Sequence, residues 1–293
     1  HNPNNKHYQK QQRHAEAHVA IVAGYDEAIT AGDMTYSAPL EWDNVTAAIE
    51  RLARRADDDR SAQALLGYAQ GWRNVIFNNY DSRRVAWLSA ARIAADRIGS
   101  AWQQANVRQA IGDVQQFRKE TNAALESYQQ ALTLYQAVGD RLGEANVRQA
   151  IGDVQQFRDQ RDAALESYQQ ALTLFQAVGS KLGEANTLAA QSRLLIDADS
   201  VQSQVLLEQA ATQRQAIDDV YGMAVDQYNY GLALLDRGRN VEALPFLLRA
   251  RQLFASRGLD IDVRDTDALI ARARGEESEA GEDDAGGDES AGE

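Results

Sequence analysis

Between Ala145 and Glu184 the apolar positions return at helical steps and fall into two stripes. Val147, Ala150, Ile151, Val154 and Phe157 recur every three or four residues, which predicts a helix with one buried face. Ala164, Tyr168, Ala171, Leu172, Phe175 and Val178 repeat the pattern a little further on. The polar run Asp159–Asp162 separates the two helices. Gly179 is placed to end the second one in the left-handed conformation that glycine adopts without strain. Ser180, or Asp140 one unit earlier, can start the next helix by accepting from its free backbone N–H groups. Two helices joined by so short a turn must pack antiparallel.

The same text stands immediately upstream. Ala105–Glu144 and Ala145–Glu184 are identical at 33 of 40 positions. The differences in the first copy are Lys119, Glu120, Thr121, Asn122, Tyr135, Asp140 and Arg141, and all but Tyr135 lie in two short polar clusters where a turn tolerates change. A period near 40 predicts stacked helical hairpins, an all-α solenoid that grows by adding units. Such an array favours binding over catalysis.

Within each unit, small and large residues keep fixed places. Gly152, Ala164, Tyr168 and Ala171 repeat Gly112, Ala124, Tyr128 and Ala131, and Gly231, Ala243, Leu247 and Ala250 return near the end. Small residues let helices approach, and the large one fills the space between neighbouring pairs. This spacing resembles the tetratricopeptide repeat, whose fold is a right-handed superhelix of helix pairs. A degenerate unit carries Ser192 in the glycine's place and Ala210 as its last small residue, with one residue deleted. A weaker one spans 61–99, with Trp72 for the glycine and Ala91 as the last small position. Five pairs result, at 61–99, 100–139, 140–179, 180–218 and 219–258, within a repeat region of 59–260. The usual repeat has 34 residues, and this unit is longer by six. It also departs from the pattern at the fourth position, where Arg108 and Arg148 replace a bulky apolar residue. Their guanidinium groups are expected to snorkel over the seam between repeats.

Residues 1–58 read as an N-terminal helical segment. A long helix is expected over Lys6–Thr30, and a second over Pro39–Arg55 with Trp42, Val45, Ile49 and Leu52 on one stripe. The segment LEWDNVTAAIERLARR, like the repeat text, is similar to the C-terminal repeat region of bacterial STAND-class signalling NTPases. That resemblance implies a sensor or scaffold beside a nucleotide-binding motor. At the other end, 261–274 is expected to be a capping helix, with Arg272 and Arg274 in its last turn and Gly275 as its stop.

Composition changes this picture little. Three prolines in 293 residues suit helices, and 44% hydrophobic content is ample for burial. The net charge of −13 is concentrated in residues 275–293, which hold nine acids and no base, leaving −4 for the rest. That segment has nothing large to bury, so it is expected to be a disordered, solubilising tail. There is no cysteine, hence no disulfide, thiolate nucleophile or zinc-thiolate site. No apolar run reaches membrane-spanning length, and no charged-then-apolar leader is visible. A cytoplasmic location with no membrane partner is expected. The chain opens on His1 rather than Met, which suggests a fragment, a processed product or an excised domain.

Candidate chemistry is sparse. All four histidines lie in the first eighteen residues, and His14 and His18 stand one helical turn apart without a third ligand, so no metal or other cofactor is expected. The remaining chain has neither His nor Cys. There is no phosphate-binding loop, dinucleotide loop or nucleophile elbow. Asp113/Asp153 and Glu126/Glu166 recur because the repeat recurs, which marks them as structural, although a hydrolase using groove carboxylates is the remaining catalytic alternative. Arg51, Arg54 and Arg55 cluster, as do Arg83 and Arg84, but interleaved acids leave no net basic face for nucleic acid.

In the tetratricopeptide family the first helix of each pair lines an inner groove. Carried onto this chain, the groove positions are Asn106, Gln109, Asp113 and Gln116, then Asn146, Gln149, Asp153 and Gln156. Diverged units add Arg73 and Phe77 on one side and Arg193, Tyr228 and Leu232 on the other. Amides along a groove can pair with the N–H and C=O of an extended peptide, and Arg and aromatics anchor interfaces. The family's carboxylate clamp needs basic residues where this chain has Gln109 and Gln149. The expected function is therefore a non-catalytic module binding a protein or peptide, either as the sensor of a signalling protein or as a stand-alone adaptor. Near-identical repeats can exchange between chains, which allows a domain-swapped homodimer.

Overall fold

The computed structural model describes residues 42–75 and 84–276. They form twelve helices, and no strand occurs among them. These are α1 (Trp42–Ala53), α2 (Asp59–Val75), α3 (Arg84–Ile98), α4 (Ala101–Phe117), α5 (Thr121–Val138) and α6 (Arg141–Phe157). There follow α7 (Arg161–Val178), α8 (Lys181–Leu195), α9 (Ser200–Gln215), α10 (Val220–Leu235), α11 (Asn240–Ser256) and α12 (Asp260–Arg274). The chain divides into two compact units, residues 1–187 and 188–293, with the boundary inside α8.

In the first unit the helix ends follow local chemistry. Ser100 caps α4: its hydroxyl accepts from the Gln103 N–H, while the Gln103 side chain accepts from the Ser100 N–H. Asp140 caps α6, its Oδ1 accepting from the Gly143 N–H at 2.9 Å. Gly179 closes α7 at φ +71°, as Gly139 closes α5. The turns within the two pairs instead pass through a left-handed Lys119 and a left-handed Asp159.

Packing explains the small-and-large spacing. α4 packs on α5, α6 on α7, and α4 and α6 are neighbours. Tyr128 and Tyr168 are fully buried, as are Ala124, Ala131, Ala164 and Ala171. A Cβ added at Gly152 would lie 2.6 Å from the Tyr168 ring, and Gly112 meets Tyr128 in the same way. Only glycine lets the first helix of each pair close over the tyrosine. Burying a side chain of this size contributes about 2–3 kcal/mol.

Not every stripe residue is buried. Phe157 ends α6 and Val178 ends α7, and both are exposed, as is Phe117 at the end of α4. The two arginines at the fourth position also differ. Arg108 reaches back to Asp96 on α3 at 2.7 Å, across the seam to the preceding pair. Arg148 is held within its own pair by Glu144 and Gln170, because Glu144 stands where the first copy has Gln104. Upstream, Ile49 and Leu52 of α1, Leu65 and Leu66 of α2 and Trp87, Leu88 and Ala91 of α3 form a core that extends to Val107 and Val114 of α4. The expected Lys6–Thr30 helix and the histidines lie outside the described residues, as does nearly all of the acidic tail.

In the second unit α10 packs on α11 and α11 on α12. Ser192, Ala210, Ala243, Leu247 and Ala250 are completely buried. Arg214 of α9 forms a buried, two-pronged ion pair with Asp226 of α10, Nε to Oδ2 at 2.7 Å and Nη2 to Oδ1 at 3.1 Å, and also reaches Asp219. Burial pushes the Asp226 carboxyl above its ordinary value, while Arg214 pulls it back. Nothing in the periodicity singled this pair out. α12 ends on Gly275 at φ +73°, with Arg272 and Arg274 in its last turn.

Candidate functional site

Helical spacing places Asn106, Gln109, Asp113 and Gln116 on one face of α4, and Asn146, Gln149, Asp153 and Gln156 on the same face of α6. All eight line one groove of about 1200 Å³ in the first unit. α8 adds Leu182 and Asn186, the third members of series that recur every 40 residues. From this diverged unit the sequence reading took only Arg193 for the groove and passed over Asn186.

Apolar side chains run along both edges of this polar floor. Trp102, Leu142 and Leu182 stand at the N-terminal ends of α4, α6 and α8, and all three are exposed. Phe117 and Phe157 stand at the opposite ends of α4 and α6, 58% and 62% exposed. The periodicity had assigned Phe157 to the core, whereas it lines the groove. The Trp102 indole N–H donates to Asp140 at 2.8 Å, which fixes that ring at the edge.

The floor is wired to the core beneath it. The Tyr128 hydroxyl lies 2.8 Å from Asp113 Oδ1 and 2.7 Å from the Gln116 side chain, and Tyr168 repeats this with Asp153 and Gln156. Each hydroxyl stands within donating distance of two acceptors, a carboxylate oxygen and the glutamine Oε1. The buried ring thus orients two groove side chains as well as filling space.

One position breaks the equivalence. In the first copy the Tyr135 hydroxyl sits 2.7 Å from Asn106 Oδ1 and 2.9 Å from the Gln109 side chain, and Gln109 is 1% exposed. Asn106 Nδ2 is already on the Trp102 carbonyl at 3.0 Å, so its oxygen takes the tyrosine proton. Phe175 stands at the same place in the second copy and offers no hydroxyl. Gln149 instead accepts from the Thr187 hydroxyl at 3.2 Å, and the half-buried Asn146 amide has no hydrogen-bond partner among the described residues.

The other expected site residues lie elsewhere. Arg73 is on α2 with its side chain outside the described residues, and Phe77 is outside them altogether. Arg193, Tyr228 and Leu232 belong to the second unit. There Tyr228 packs edge-on against Phe254, and its hydroxyl is held above the usual phenol value by burial and then by Asp265 and Asp262. The positive charge of Arg193 helps to keep Asp226 ionised, and Leu232 is half-buried. Among the described residues no cluster of three His, Cys, Asp or Glu could hold a metal, and no helix is long and apolar enough to cross a membrane.

Residues 103–177, essentially the two near-identical copies, match the tetratricopeptide repeat family model. No curated protein sequence matches the chain. Similar solved structures include the apo form of RapI, 13% identical with a TM-score of 0.55 over 80% of this chain and 92% of that one. BtubC from P. vanneervenii is 14% identical, with a TM-score of 0.51 over 84% and 94%. A Rap protein complexed with competence and sporulation factor is 13% identical, with a TM-score of 0.56 over 89% and 77%. At such identities the likeness is one of fold: the chain carries tetratricopeptide repeats within an all-α array of helix pairs.

Proposed function

We propose that this chain is a non-catalytic interaction module that holds an extended segment of a protein or peptide in the groove of α4, α6 and α8. The observation that carries the reading is a floor of regularly spaced amides and carboxylates between two edges of exposed Trp, Leu and Phe. Amides match a peptide main chain, and the apolar edges match its side chains. A Rap protein of similar helix-pair fold is complexed with competence and sporulation factor, which supports a binding use for such a fold. A hydrolytic reading finds less support, since Asp113 and Asp153 each accept a tyrosine proton and carry no neighbouring nucleophile–base pair in the groove.

The wider setting we infer is the cytoplasmic sensor or scaffold part of a bacterial signalling protein, on the strength of the LEWDNVTAAIERLARR segment and the repeat text. A stand-alone adaptor is the second reading, favoured by the near-identity of the two copies, which offers a repeated surface. Affinity capture from the native source tests the groove: a partner retained by the wild-type chain should be lost by Trp102→Ala/Phe157→Ala. Equal retention by both would remove the groove from the function. A phosphate-binding-loop domain encoded upstream separates the signalling reading from the adaptor.

A further inference from the structure

We propose that the residue at the Tyr135/Phe175 position decides which copy can grip a peptide main chain, that Asn146 is the grip, and that the occupant is an extended peptide carrying cationic among apolar side chains. This rests on the groove reading and deepens it.

The two copies are built from the same text, so their groove faces should behave alike. They do not: the Tyr135 hydroxyl has no counterpart in the second copy, and Thr187 stands there where the first copy is followed by Val147. The Tyr135 hydroxyl occupies Asn106 and Gln109 together, and Asn106 spends its Nδ2 on the Trp102 carbonyl. Both ends of the Asn106 amide are satisfied before any ligand arrives. Phe175 removes the hydroxyl, and Asn146 keeps both its N–H donors and its carbonyl oxygen unpartnered on the groove wall. One asparagine side chain in that state can accept from a peptide N–H and donate to the C=O of the same residue. On the groove wall this half-buried amide is accessible to such a ligand. Leu142 and Phe157, at the two ends of α6, flank it and suit apolar side chains on either side.

Charge selects among peptides. Of the residues lining the groove, the anionic ones are Asp113 and Asp153, in the floor, and the cationic one is Lys119, in the exposed turn after α4. Asp153 lies two turns along α6 from Asn146, about 10 Å, within reach of a lysine or arginine on a peptide held at Asn146. An acidic peptide would place like charges together in a partly desolvated site.

The test uses three fluorescein-labelled pools of nine-residue peptides. They share fixed apolar positions and differ only in carrying lysine, glutamine or glutamate at the others. Anisotropy titrations with the purified full chain should show the lysine pool binding at least about tenfold more tightly than the glutamate pool. Phe175→Tyr should weaken the lysine pool about fivefold, as should Asn146→Ala, whereas Tyr135→Phe should leave it unchanged or improve it. Phe175→Tyr adds a group the first copy already accommodates, so loss of fold does not confuse the result. Equal binding of the lysine and glutamate pools, indifference to Phe175→Tyr, or no binding by any pool would overturn the proposal. The groove reading is judged separately: loss of binding with Trp102→Ala/Phe157→Ala upholds it even when the charge or Phe175 arms fail, and indifference of every bound pool to that variant removes it.

Discussion

The helix pairs α4–α5 and α6–α7 share almost all their residues, and the few differences change their surfaces more than their cores. Both bury a tyrosine under a glycine and wire its hydroxyl to an aspartate and a glutamine of the groove. Among their differences are Tyr135 against Phe175 and Gln104 against Glu144. The first exchange releases an asparagine into the groove, and the second redirects an arginine from the neighbouring pair to its own. Duplication therefore preserves the scaffold while single side chains reassign what each copy presents.

The shared part of the comparison is the most sensitive to mutation. Tyr128→Ala and Tyr168→Ala should each cost about 3–5 kcal/mol, by emptying a buried site and unpairing groove side chains. Urea unfolding followed by circular dichroism should show similar losses of stability for the two. A copy that tolerates the change would show that its tyrosine is not a keystone.

Next in size is the exchange that separates the copies. Tyr135→Phe leaves the 1%-exposed Gln109 without its partner and should cost about 1–2 kcal/mol. Phe175→Tyr should change stability by less than about 0.5 kcal/mol, since its hydroxyl meets the open Asn146. The same unfolding experiment reads both, and equal effects would erase the asymmetry.

Much of this was legible in the sequence, and the gaps have physical causes. The duplication and the glycine–tyrosine pairs follow from the sequence pattern, whereas the eight groove residues came from the resemblance to the tetratricopeptide repeat, whose groove positions were carried onto α4 and α6 by their spacing. Phe157 was misread because period reports a face and not where along the helix the neighbour stops. Trp102, Leu142 and Leu182 sit in the first turn beside the caps, where the stripe has not begun. Tyr135 against Phe175 looked like a conservative mismatch, since ring volume is nearly unchanged and only the hydrogen bonds differ. The Arg214–Asp226 pair joins two diverged helices whose charges no repeat pattern aligned.

The smallest effect expected is on pH dependence. At Glu144 burial works to raise the carboxyl value, but bonds to Gln136 and Arg148 outweigh it and hold the value below the usual glutamate range. A lowered folded-state value means stabilisation that is complete above the ordinary glutamate value and is lost as pH falls through the lower one. Glu144→Gln should flatten the acid limb of the stability curve of α6–α7, and the first copy, with Gln104 there, should lack that contribution. Thermal melts at a series of acid pH values check it, and an unchanged limb in the variant would exclude Glu144 as its source.

The most direct test of the groove is photo-crosslinking. A benzoylphenylalanine replacing Phe157, on the groove edge, should capture the lysine-bearing peptide pool. The same probe replacing Val178, exposed at the end of α7 and not among the groove-lining residues, should not. Crosslinking from position 178 that equals or exceeds that from 157 would contradict the account.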